Sequence, residues 1–98
     1  MLLAAAIAAA APAFADGIAT HGADWVRIMA KTCDNPQVSA AITAGGGDPH
    51  AFLAAAAHIG GQDFAACWQP MGNGVLLVYS DGDHGMLPAE AFKPVPEA

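Results

Sequence analysis

"QDFAACWQPMGNGVLLVYSDGDHGMLP" (Gln62–Pro88) holds three apolar runs separated by two turn signals. The first run, Gln62–Gln69, alternates. Phe64, Ala66 and Trp68 fall on one face of a strand, and Ala65, Cys67 and Gln69 on the other. Gly72-Asn73-Gly74 is a strong hairpin signal. Val75–Ser80 is apolar without interruption, as suits a strand covered on both faces. Asp81-Gly82-Asp83 is the next turn, and His84–Pro88 a short return strand. Ala89–Phe92 is expected to turn and lay Phe92 on the sheet, with Pro94 and Pro96 in a solvated tail over 93–98.

Working upstream, Gly60-Gly61 is another hairpin signal, so Leu53–Ile59 is expected to end extended, against the helix propensity of its alanines. Residues 50–59 stay open between helix and strand. Asn35 suits a helix N-cap and Pro36 the first helical position, so Pro36–Thr43 reads as a helix that Gly45-Gly46-Gly47 ends. Asp48-Pro49 opens a second short segment. Residues 24–32 are ambiguous: as a helix, Val26, Met29 and Ala30 group together, whereas a strand puts Val26, Ile28 and Ala30 on one face. The β-branched and aromatic start leans to strand. Residues 16–23, rich in Gly and Ala, are expected to be loose. The fold expected is α+β: an antiparallel β-meander of three to four strands with one or two short helices, stapled by one disulfide.

The N-terminus shortens the domain. Met1–Ala11 is unbroken apolar sequence, and Ala13-Phe14-Ala15 fits the small-x-small pattern of signal-peptide cleavage. Residues 1–15 read as a signal peptide, although no Lys or Arg precedes the apolar run. The rival is an Ala-rich helix of the domain itself, which the absence of amphipathic period disfavours. Residues 16–98 then form a single small domain, periplasmic or secreted.

Three Lys and Arg stand against nine Asp and Glu, a net charge of −6. Arg27, Lys31 and Lys93 make no basic patch, so phosphate-backbone binding is not expected. An acidic surface favours a basic partner, or simple solubility. Cys33 and Cys67 are the only cysteines. In an oxidising compartment an even pair reads as a disulfide. A loop of that size constrains the unfolded chain by about 3–4 kcal/mol in the chain-entropy treatment. For a domain this small that is comparable with the net contribution of the core.

The order of parts is a signal peptide, a segment ending in Cys33, a helix, then Gly60-Gly61-x-x-Phe64-x-x-Cys67-Trp68. A hydrophobic strand, an acidic turn with Gly82, and Leu87-Pro88 ahead of Phe92 follow. From about Asp24 to Val95 this resembles small exported proteins of unassigned function from Gram-negative bacteria and their phages. Its most specific element is the Cys67-Trp68 pair in a hairpin with a matching upstream cysteine. The resemblance implies a disulfide and a small β-rich fold, and implies no activity.

Each chemical site meets a plainer reading. Asp81 and Asp83 alternate like the start of a calcium loop, but the twelfth position would be Phe92, which cannot ligate. His21, His50, His58 and His84 share no zinc spacing. Ser80 neighbours Asp81 and His84 without forming a nucleophile elbow. Gly45-Gly46-Gly47 lacks the Lys and Ser/Thr of a phosphate loop. Trp68, beside the cysteine, reads as core, and Trp25 as the better exposed contact.

Two function classes compete. The first is a non-enzymatic exported binding module for an envelope protein, one version being an inhibitor of a basic enzyme. Its expected contacts are Trp25, Asp81, Asp83 and His84, with no cofactor and no metal. The alternative is a small metal-dependent or hydrolytic enzyme using Asp81, Asp83 and His84. The exposed edge beside Val75–Ser80 offers a route to dimers, but nothing specifies it.

Overall fold

The computed structural model describes residues 16–95. The signal peptide expected over residues 1–15 lies outside the described residues. Seven strands form one sheet: β1 (Gly17–His21), β2 (Asp24–Thr32), β3 (Leu53–Ile59), β4 (Gln62–Met71), β5 (Gly74–Tyr79), β6 (His84–Pro88) and β7 (Lys93–Pro94). Their order is β6-β5-β4-β3-β2-β1-β7, with every pairing antiparallel. Among the described residues one α-helix, α1 (Pro36–Ala44), lies between β2 and β3.

This overturns the expected α+β meander of three to four strands. Residues 16–23 are not loose, because β1 pairs along its whole length with β2. Residues 93–98 are not wholly tail, because Lys93 and Pro94 pair with β1. Neither segment looks like a strand alone: one is short and rich in small residues, the other contains proline. Partner strands recruit them.

The connection into β7 shows that the sheet is curled. Adjacent strands lie about 4.8 Å apart, so a flat sheet would put β7 roughly 29 Å from β6. The link, Ala89–Phe92, reaches at most about 17 Å when extended. The chain crosses because the sheet closes on itself into a half-barrel. Ala89–Ala91, a 3₁₀ turn, touches both β1 and β5 across the opening. Gly17 makes room there: a Cβ on it would stand 3.2 Å from Cβ of Phe92.

The concave face carries the main core: Val26, Ile28, Ala55, Ala57, Ala66, Trp68, Val75 and Leu77, with Phe64, Tyr79, Leu87 and Phe92 packed against it. Cross-strand registers such as Leu53 with Trp68, Ala55 with Ala66 and Ala57 with Phe64 put these residues on one side. On this face Ala55 and Ala57 of β3 lie opposite Ile28 and Val26 of β2, and Ala57 opposite Phe64 of β4, so small residues sit beside larger ones. The convex face carries a second cluster, in which Val38 and Ile42 of α1 meet Phe52, Cys33 and Cys67. Cys33 and Cys67 are joined, their Cα atoms 5.6 Å apart, so the bond ties the end of β2 to the middle of β4 beneath α1.

Local signals set the remaining detail. Asn35 Oδ1 accepts from the N–H groups of Gln37 and Val38, both at 3.0 Å, and so caps α1. Gly60 and Gly61 both have positive φ, the demand of the tightest two-residue hairpin. The β2–β3 register shifts between Ile28 and Thr32. The Trp68 indole N–H donates to the Met29 carbonyl within that irregularity, at 2.9 Å.

Candidate functional site

The β5–β6 turn, with Asp81, Asp83 and His84, stands between two concavities. A tight loop builds it: Gly82 N–H donates to the Tyr79 carbonyl at 2.9 Å, and Gly82 takes φ of 90°. The flanking carboxylates hold the loop. Asp81 Oδ1 accepts from Asp83 N–H at 2.9 Å, and Asp83 Oδ1 accepts from His84 N–H at 3.0 Å. Both aspartates and His84 remain exposed.

On the convex side, α1 stands off β5 and leaves a groove of about 740 Å³. Ile42, Phe52, Leu76 and Val78 supply its apolar lining, and Asp48, Gln69 and His84 its polar groups. That volume is in the range of ligand clefts. No lysine or arginine lines it. On the concave side a smaller recess of about 120 Å³ is lined by Ile59, Phe64, Tyr79, Asp81 and Asp83. The Phe64 and Tyr79 rings meet edge to face, with centroids 6.3 Å apart. Burial, then the charges of Asp83 and Asp81, push the Tyr79 hydroxyl above its ordinary value of 10.0. Each cause disfavours the phenolate, so Tyr79 faces the recess as a neutral donor.

Trp25 is not part of this arrangement. It lies on the convex face of β2, with β3 and β4 between it and the turn. Its ring stacks on His58, with centroids 5.9 Å apart and planes 16° apart. His58 Nδ1 in turn lies 2.6 Å from Asp63 Oδ1. Trp25, His58 and Asp63 are successive cross-strand partners, so they form one polar-aromatic row across three strands. His58 and Asp63 escaped the sequence reading. Half of their pairing was nevertheless available: counting outward from a two-residue Gly60-Gly61 turn sets His58 opposite Asp63. Their meeting with Trp25 depends on the long-range β2–β3 pairing.

Of the groove residues, Leu76 and Val78 read in the sequence as part of a strand covered on both faces, and Ile42 as part of the helix. Ile42 and Phe52 are buried and Leu76 and Val78 half-buried, and the groove they line forms where α1 meets β5, a long-range meeting with no local signature. Among the described residues, no group of three His, Cys, Asp or Glu side chains converges to hold a metal ion. No polar or charged residue among them is fully buried. The disulfide is consistent with a compartment outside the cytoplasm. No helix among the described residues is long and apolar enough to cross a membrane. No protein-family model, curated protein or solved structure matches the chain.

Proposed function

We propose that the chain is an exported, non-enzymatic binding module that takes a basic protein of the cell envelope on the groove and turn between α1 and β6. The observation carrying this reading is the groove itself: an apolar floor, no lysine or arginine in its lining, and Gly82 and His84 of the acidic turn on its border, with Asp81 and Asp83 beside them on the recess of the other face. The net charge of −6 adds long-range attraction for a cationic partner. Apolar contact in the groove supplies residence time, and the acidic turn supplies steering. Export places the chain where its disulfide is stable, in the periplasm or beyond the cell.

Lysozyme, a basic enzyme acting on the envelope, is the direct test. The oxidised chain, residues 16–98, should bind lysozyme at micromolar concentration in low salt and lower its activity. The affinity should fall with added salt and with the double substitution Asp81→Asn, Asp83→Asn. Unchanged lysozyme activity under those conditions, or binding indifferent to the double substitution, overturns the reading.

A further inference from the structure

We propose that β6 is a docking edge, on which an extended, cationic segment of the partner adds as an eighth strand; this rests on the binding reading above and specifies its mode. The hydrogen-bond phase of β6 carries the inference. Tyr79 N–H donates to the Asp83 carbonyl, and Ala89 N–H to the Asn73 carbonyl. With the β5–β6 register, these bonds fix the alternation: Gly85 and Leu87 turn their backbone groups toward β5, and His84, Met86 and Pro88 turn theirs away. No strand covers that outer side among the described residues.

The outward groups are unequal. His84 N–H is taken by Asp83 Oδ1 at 3.0 Å. Pro88 has no N–H. Met86 alone offers a free outward N–H, whereas His84, Met86 and Pro88 all offer carbonyls. The edge is therefore rich in acceptors and suits a partner that brings donors. A second copy is a poor fit. Antiparallel self-pairing about Met86 would join only the two Met86 residues, because the flanking positions lack free N–H groups.

Both faces of the edge agree with a strand of alternating character. On the convex side Met86 is 52% exposed and pairs in register with Leu76, extending the apolar groove to the edge. On the concave side Gly85 leaves space: nothing stands within 4 Å of where its Cβ would be. That opening lies next to Asp83, two residues away and on the same face of the hairpin. An added strand would lay apolar side chains over Met86 and point alternate lysines or arginines past Gly85 toward Asp81 and Asp83.

The probe is a short blocked peptide of alternating valine and lysine, with a second version N-methylated on alternate backbone nitrogens. The plain peptide should bind and slow hydrogen exchange at the Met86 amide, and the N-methylated one should not. Met86→Pro removes one backbone donor and should weaken peptide binding about tenfold. Met86→Ala, which keeps the amide, should bind nearly as well as the parent chain. Unfolding midpoints of both variants report whether the fold is intact, and the N-methylated peptide tests the edge without any substitution. Equal binding of the two peptides, or an unprotected Met86 amide in the complex, overturns strand addition. Failure of both peptides to bind also overturns it, while lysozyme binding separately decides the fate of the broader reading. Met86 protection without peptide, together with a doubled mass in solution, would show the edge occupied by a second copy and end the proposal.

Discussion

Tyr79 shows how single side chains are set by their surroundings. It is the only tyrosine in the chain, so tyrosinate absorbance reports it alone. Burial is the larger cause of its raised titration, with Asp83 and Asp81 adding to it. The folded chain thus holds this proton to higher pH than the unfolded chain. Its contribution to stability is complete below pH 10.0, the ordinary value, and is lost as pH rises through the folded value. Asp81→Asn with Asp83→Asn should move the absorbance midpoint down, but not back to the ordinary phenol value, because burial remains. A midpoint that does not move would mean that the turn carboxylates do not act on the recess. Trp68 makes the same point by hydrogen bonding. Its ring is 2% exposed in the core, yet its N–H reaches a carbonyl in the β2–β3 irregularity. A polar tip is satisfied where the ladder is interrupted, rather than being left buried and bare.

At the scale of elements, α1 is the piece most plainly written in local sequence. Asn35, Pro36 and the three glycines bound it, and Val38 and Ile42 are the side chains it buries. Asn35→Ala removes the acceptor for two backbone N–H groups and should cost about 1 kcal/mol. Urea unfolding checks this, and an unchanged midpoint would show that packing on Cys67 and Phe52 holds the helix start without its cap. Because Ile42 also lines the groove, fraying at Asn35 should weaken lysozyme binding less than losing the acidic turn. The two sheet edges contrast. One is closed by β7, whose Pro94 has no N–H, and the other presents β6 with Met86 open. Short length, Pro88 and the capped His84 amide keep β6 from being an indiscriminate template.

At the scale of the molecule, two devices hold the curl. One is the link through Ala89–Phe92, which crosses the opening and feeds β7 to β1. The other is the Cys33–Cys67 bond, which fastens the α1 excursion to β4. Replacing both cysteines with alanine frees a loop of 34 residues and should lower stability by about 3–4 kcal/mol. Comparing urea unfolding of the oxidised parent chain with the double variant measures this. A loss under about 1 kcal/mol would mean that the two clusters stand without the crosslink. The bond also keeps α1 against the sheet, so the variant should lose groove binding before it loses its β-sheet signature.

Much of the strand alternation, the helix and its cap, the hairpin turns and the cysteine pairing could be read from the chain alone. Each depends on neighbours in sequence or on simple parity of cysteines. Gln62–Pro88 contains its own turns, so its strands pair nearly unaided. The turn with Asp81, Asp83 and His84 was equally legible as an exposed acidic tip. Tertiary structure alone decided that there are seven strands. β1 and β7 have weak strand character, and both are strands because long-range partners satisfy their backbone groups. It also decided that Trp25 belongs with His58 and Asp63 rather than with the turn. The groove exists only where α1 meets β5, and the open amide of Met86 follows from which side of β6 its partner takes. Those features come from pairing phase and curvature, quantities that a linear pattern of side chains does not carry.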